Sequence, residues 1–392
     1  MSPISPAKIT TTPRRKSVPA CNRRQNRGRN VARTDAKKFR SARSAEKGST
    51  QGQDAIFRGT AGGDVSLKDE VFKDKKSVRG TPNASLPAFI LGEELADLAD
   101  QDPRIAVLTA DLAVANRTND FKRRHPDRFF NLGIAEKNMM TVAAGMASCG
   151  LVTYAATFAS FCAILGAEQV KTDCAYPGMK VRLIGHHSGM SMGFYGTSHH
   201  ALEDLAITRT IADLTVVCAT DANHLRAIMR ASVEHPGAMY IRLGRGRDPE
   251  VYPIVPKAFR FGKAITLRPG KDLTIICCGS VVRASLDAAA ILAKRGIDTR
   301  VVDMHTIKPL DATAVRKAAR ETGAILTVEE HNITGGLGSA VAEVLVEEDR
   351  IPFMRHGVPD EFVPVGPPAA LYAHYKLDAD GIAKKVKALL KS

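Results

Sequence analysis

The chain has 392 residues, 44% of them hydrophobic, which is enough for two ordinary domains. Its formal net charge of +15 suggests a nucleic-acid binder, but the charge is local. Residues 1–80 carry 20 Lys and Arg against 7 Asp and Glu, leaving 36 against 34 for the rest, so the basicity belongs to the tail.

Residues 1–53 are rich in Arg, Ser, Thr, Pro and Asn and have almost no apolar periodicity. Burial there cannot offset the entropy of ordering, and a disordered basic extension is predicted over 1–80. A solvated extension, an organelle transit peptide and an anionic-surface arm all fit that composition. Aromatics such as Phe39 and Phe57 are too sparse for base stacking, so nucleic acid is not an expected partner.

From residue 81 short apolar runs alternate with helical patterns. Strands are predicted over 104–112, 151–157, 181–187, 214–220 and 239–243. Helices are predicted over 136–149, 160–174, 201–212 and 223–234. A second unit follows the Pro253–Pro256 segment. Its strands are predicted over 273–278, 299–302 and 324–328, its helices over 285–294 and 312–322, and Gly335–Gly338 opens a further helix. Such alternation predicts an α/β fold of two consecutive domains, 81–252 and 257–392, each a mainly parallel sheet flanked by helices. Ligands in such sheets sit beyond the carboxyl ends of strands, which places Asp111, Thr157, His187 and Asp221 at candidate rims.

One carboxylate stands out. Glu136, in G-I-A-E-K-N-M-M, precedes a stretch, 138–167, with no charged side chain. A carboxylate at the mouth of a dry segment is costly unless something uses it, although a charge at a helix N-terminus is a common plain explanation. The stretch is long enough to span a bilayer. Its Gly145, Gly150 and Gly166 and its many Ala, Ser and Thr residues instead predict a buried helix followed by a buried strand, with no membrane span. Seven cysteines without a C-x-x-C, and no secretory signal, predict a reducing, cytoplasmic setting.

Several motifs occur in a telling order. Asp111-Leu112 ends a strand, then G-I-A-E-K-N-M starts at Gly133 and T-F-A-S-F at Thr157. H-S-G-M-S-M-G and G-T-S-H-H lie between His187 and His200. E-D-L-A starts at Glu203, A-T-D-A at Ala219, Y-I-R-L-G-R at Tyr240, and V-E-E-H-N-I-T-G-G-L-G follows in the second unit. From about Leu86 onward the chain resembles the C-terminal half of transketolase, a thiamine diphosphate enzyme. That family also has an N-terminal G-D-G…N segment holding Mg²⁺ and the cofactor diphosphate, and no G-D-G occurs here. The resemblance therefore implies a split enzyme. This chain would be the pyrimidine-binding subunit, and a separate chain would hold Mg²⁺ and diphosphate. An α2β2 assembly, inactive without its partner, is the implied arrangement.

The resemblance also assigns roles. Glu136 would hydrogen-bond the cofactor pyrimidine and help activate the thiazolium carbon that attacks a ketose carbonyl. Phe158 and Phe161 would pack on the pyrimidine, with Ile164 as an apolar wall where the family has a third aromatic. His187 and His199 would handle substrate oxygens. Adjacent residues on a strand point oppositely, so the pairs His186-His187 and His199-His200 are not expected to ligate a metal, and no metal site is expected in this chain. Arg245 would grip a sugar phosphate, the alternative being a solvated basic loop of Arg242, Arg245 and Arg247.

The departures point to the substrate. Two further family phosphate contacts fall on Ala88 and Ala115, and an acidic reader of a substrate hydroxyl falls on Tyr195. They imply an altered sugar that is branched, shorter or less dependent on phosphate. Gly335–Gly338 lacks G-x-G-x-x-G spacing, and no dinucleotide is assigned to it. The expected reaction is transfer of a two-carbon ketol unit from a ketose to an aldose. Two rivals remain. One is a 2-oxoacid-decarboxylating thiamine enzyme, either half of a deoxyxylulose-phosphate synthase or a dehydrogenase beta chain. The other is a non-catalytic protein whose basic tail binds nucleic acid.

Overall fold

The computed structural model describes residues 87–245, 248–257, 259–348 and 350–391. The basic extension expected over 1–80 lies outside them. Two α/β layers account for the rest, and both sheets are mainly parallel.

The first sheet is built on strands that are buried along their whole length, as parallel strands covered on both faces must be. They are β1 (Ile105–Thr109), β3 (Val152–Phe158), β4 (Val181–His186), β5 (Thr215–Cys218) and β6 (Met239–Arg242). A short edge strand, β2 (Phe129–Asn131), pairs with β1. The helices on this sheet are α1 (Pro87–Gln101), α2 (Asn119–Arg124), α3 (Glu136–Ser148), α4 (Asp204–Thr210) and α5 (Ala222–Ser232). Helix α1 was not anticipated from the pattern. Helix α4 is shorter than the expected 201–212, because Ala201 is drawn into an antiparallel bridge with Gly189.

The uncharged stretch folds as helix α3, the buried strand β3 and a helical segment over 161–175, so its apolar length is consumed inside the domain. Among the described residues no helix is long and apolar enough to cross a membrane. The 161–175 segment contains two π-helical turns, Phe161–Leu165 and Val170–Ala175, a wide geometry that is frequent at functional sites.

The second sheet contains β7 (Ile265–Arg268), β8 (Leu273–Cys277), β9 (Thr299–Asp303), β11 (Ile325–Asn332) and β12 (Phe353–Val358), in the order β12-β11-β8-β9-β7. Its helices are α6 (Val282–Ala293), α7 (Ala312–Glu321), α8 (Leu337–Leu345), α9 (Pro368–His374) and α10 (Ala379–Leu389). Only the edge strand β7 runs antiparallel there.

One strand leaves this scheme. β10 (Thr306–Lys308) comes from the C-terminal part of the chain, yet it pairs antiparallel with β5 and closes the edge of the first sheet, giving the order β10-β5-β6-β4-β3-β1-β2. Around that crossing, Asp303 accepts hydrogen bonds from Thr220 Oγ1 (2.7 Å) and Tyr252 OH (2.8 Å), and His305 O accepts from Cys218 N (2.7 Å). A second seam lies at Arg242. Its Nε donates to Asp204 Oδ2 (2.7 Å), and its Nη2 donates to Ala201 O (3.1 Å) and to Glu330 O of β11 (2.9 Å). The backbone of Gly189 (φ 59°) approaches Glu330 so closely that a Cβ would lie 2.1 Å from its carboxyl carbon, so only glycine fits.

Candidate active site

The carboxyl ends of β1 to β4 form one rim of the first sheet, and the sequence-expected residues cluster there. Phe158, the last residue of β3, is in register with His186, the last residue of β4. From Phe158 four rings can be reached. Phe161 lies edge-on at 5.6 Å between centroids, His186 at 4.9 Å, His187 at 5.2 Å and His199 at 5.4 Å. Phe161 also meets His199 (5.2 Å), and the Tyr195 ring lies 5.0 Å from His199. Edge-to-face contacts of this kind fix ring orientation as well as exclude water. Ser198 Oγ hydrogen-bonds His199 Nδ1 (2.9 Å).

The structure corrects the expectation that His186 and His187 point oppositely. β4 ends at His186, and His187 takes a left-handed backbone (φ 56°). Strand alternation therefore stops, and the two rings turn to the same side, with Nδ1 to Nδ1 at 2.6 Å. The left-handed turn is uncommon for a residue with a Cβ and is held here by neighbours. His187 N donates to Gly244 O (3.4 Å) and Ser188 N to Leu243 O (3.2 Å). Those bonds draw the loop after β6, with Arg245, alongside.

Electrostatics follow burial. Desolvation, helped by the Arg245 charge, pulls the His187 imidazole down to about 4. His186 lies well below its ordinary 6.5, from burial and then from His187. Burial also lowers His199. All three are neutral imidazoles at neutral pH, suited to hydrogen-bonding oxygen atoms. Arg245 itself is exposed, whereas Arg242 is 2% exposed and committed to Asp204. The alternative of a solvated basic loop therefore fails for Arg242, and Arg247 lies outside the described residues.

Glu136 opens α3, which packs on β3 and on the 161–165 turn. Its side chain is 8% exposed. Among the described residues its carboxylate has no hydrogen-bond or ion-pair partner, so it does not act as a helix cap. Nearby, Thr157 Oγ1 and Ser160 Oγ are buried without partners among those residues. Unsatisfied buried polar atoms, an aromatic corner and a lone carboxylate fit the polar edge and flat face of an aminopyrimidine. Ile164 is half exposed and stands on the rim rather than inside the ring cluster. Among the described residues no group of three or more His, Cys, Asp or Glu is placed to hold a metal ion.

The other rim candidates have structural duties. Asp221 caps α5 through His224 N (2.8 Å) and accepts from Val251 N and Tyr252 N. Asp111, with φ 57°, is tied to Asn131. The sequence reading missed His186 as a member of the cluster. The signal that could have found it is the end of apolar character after Gly185, which places the strand end one residue earlier than expected.

Residues 88–249 match the model of the transketolase pyrimidine-binding domain, and residues 262–382 match that of the transketolase C-terminal domain. One of the two subunits of the apulose-4-phosphate transketolase of Phocaeicola vulgatus is 40% identical over 292 residues, covering 74% of this chain and 93% of that protein. The 6-deoxy-6-sulfo-D-fructose transketolase subunit of a Clostridium species is 38% identical over 290 residues, covering 74% and 90%. A solved structure described as a split gene transketolase, inactive beta4 tetramer, superposes with a TM-score of 0.71 at 41% identity, covering 78% of this chain and 97% of that one. The chain belongs to the transketolase family, with that family's pyrimidine-binding domain followed by its C-terminal domain.

Proposed function

We propose that this chain is the pyrimidine-binding subunit of a two-chain, thiamine diphosphate-dependent transketolase. It moves a two-carbon ketol unit from a ketose with a distal anionic group to an aldose acceptor. The observation that carries the reading is the ring cluster, in which His187 and His199, from separate loops, both meet Phe158 at the carboxyl edge of the sheet. When bound, thiamine diphosphate supplies a carbon nucleophile and an electron sink.

In this reading the chain's own residues do the positioning. Glu136 shares a proton with the pyrimidine N1′, and burial keeps water from competing for it. Phe158 and Phe161 seat the ring, and Ile164 lines its outer side. Neutral His187 and His199 hydrogen-bond the oxygens of the ketose, and Arg245 binds the distal anion. The relatives named for a sugar phosphate and for a sulfonated sugar support an anionic donor. Magnesium and the cofactor diphosphate belong, in this reading, to a separate diphosphate-binding chain with which this one forms an α2β2 assembly in the cytoplasm.

That assembly is supported by an exposed apolar rim. Val114, Phe130, Ile134, Ile164, Phe194 and Tyr195 are all solvent-exposed, and all lie in or just after β1 to β4 at the same edge as the site. The test is co-expression with a diphosphate-binding chain, then assay of a ketose phosphate and an aldose with thiamine diphosphate and Mg²⁺. Cofactor-dependent ketol transfer without CO₂ is expected. CO₂ release from a 2-oxoacid would move the chain to the decarboxylating class, and no cofactor-dependent turnover would remove the enzyme reading.

A further inference from the structure

The Nδ1 atoms of His186 and His187 lie 2.6 Å apart, so one of them carries a proton and the other a lone pair. The two rings cannot choose tautomers independently. Their outer nitrogens break the tie. His186 is fully buried, and its Nε2 has no partner among the described residues. If that atom carried hydrogen it would be an orphaned buried donor, the rarest kind of unsatisfied group. A bare lone pair there is the cheaper state. His186 then keeps its hydrogen on Nδ1 and donates it to His187 Nδ1. His187 must in turn hold its own hydrogen on Nε2, the nitrogen away from His186.

We propose that His186 is a positioning residue that locks His187 as the Nε2–H tautomer, so that His187 meets the substrate as a hydrogen-bond donor to a carbonyl or hydroxyl oxygen. Phe158 holds the pair, with centroids 4.9 Å and 5.2 Å from the two rings. The left-handed backbone of His187 is what turns its ring onto its neighbour. The strain at that position is therefore tied to the hydrogen bond it makes possible. A donor at this place suits an oxygen that gains negative charge, and it is a poor base. The tautomer assignment rests on geometry alone, while its use on a sugar oxygen rests on the function proposed above.

The test separates these two parts. The full chain is labelled with ¹⁵N in its histidine rings, and long-range ¹H–¹⁵N correlations are read near neutral pH, with His187→Gln giving the assignment. His187 is expected to show a protonated Nε2 and a bare Nδ1, and His186 the reverse. A protonated His187 Nδ1, or fast averaging of both rings, overturns the proposal. His186→Phe keeps an aromatic ring but removes the donor, so His187 should become a tautomer mixture. His186→Asn, whose amide can donate, should restore the single form. A His187 that stays unmixed in His186→Phe, with the His224 and His305 signals unchanged, also overturns it. In the reconstituted pair His186→Phe should lower kcat/KM for the ketose about tenfold, the worth of one hydrogen bond, with recovery in His186→Asn. A pair that transfers no ketol unit at all removes the function and leaves the tautomer result standing.

Discussion

Glu136 and Arg245 show how burial divides labour at the rim. Glu136 is nearly enclosed, whereas Arg245 reaches solvent. A buried carboxylate without a partner costs folding energy, so its retention is best explained by a group it meets only in the assembled enzyme. Glu136→Gln keeps size and shape and removes the titratable proton. It should lower kcat of the reconstituted pair by about 10²-fold or more while leaving the circular dichroism of the chain unchanged. Activity within a few-fold of wild type would sink the assigned role. Arg245→Ala tests the other end of the substrate. A charge-assisted pair to an exposed anion is worth roughly 10- to 100-fold, expected in KM for an anionic ketose and not in kcat. An equal effect on a neutral ketose would mean that Arg245 does not read the anion. Both residues were legible from motifs. The ring pair His186–His187 was not, because one residue's departure from strand geometry reversed the direction of a side chain.

At the scale of elements, the seams between the sheets carry the unexpected features. Strand β10 adds to a sheet otherwise made from the N-terminal part, and sequence alternation gives no sign of it because three residues carry no periodicity. The apolar runs were enough for β1, β3 to β6, β8, β9 and β11, whose burial is continuous or nearly so. The edge strands β2, β7 and β12 were missed, since half-exposed edges lose the apolar signal. At the second seam, Arg242 is a buried cation shared among α4, the 201 loop and β11. Arg242→Met should cost about 3–5 kcal/mol, because Asp204 is left buried without its counter-charge. The double variant Arg242→Met with Asp204→Leu should recover much of that loss. Urea unfolding of the three proteins decides it. A single variant as stable as wild type would show that the seam does not depend on the pair.

For the molecule as a whole, buried titratable groups set the pH response. His187, His305 and His331 are pulled down to about 4, with burial the first cause in each, and His186 and His224 lie well below 6.5. Such groups give up protons on folding, so the stability they contribute is full above pH 6.5 and is lost as pH falls toward 4. Asp303, Glu329 and Glu330 are pushed up to about 7 by burial, and they work in the opposite sense, losing stability as pH rises from about 4 to 7. The histidines outnumber the carboxyls, so between pH 6.5 and 4.5 the chain should lose stability on acidification. The slope is about 1.4 kcal/mol per pH unit for each proton of the difference, and His305→Gln should flatten it. Urea midpoints that rise toward pH 4.5 would show that the carboxyls dominate. Assembly is the other whole-molecule property. Ile134 is 85% exposed beside the site, and Ile134→Glu should weaken binding of the diphosphate-binding chain without altering the fold. Unchanged co-elution of the two chains would place the interface elsewhere.

By itself the sequence determined the class of fold, the family and the residues at the rim, because buried parallel strands and glycine-rich turns leave continuous apolar runs and ordered motifs. Tertiary structure alone decided three things. It brought His187 and His199 to one phenylalanine, because parallel strands deliver all their carboxyl ends to the same edge. It turned His186 toward His187, because a left-handed residue ends strand alternation. It placed β10 in the first sheet, because pairing an edge depends on backbone hydrogen bonds, which carry no side-chain signature.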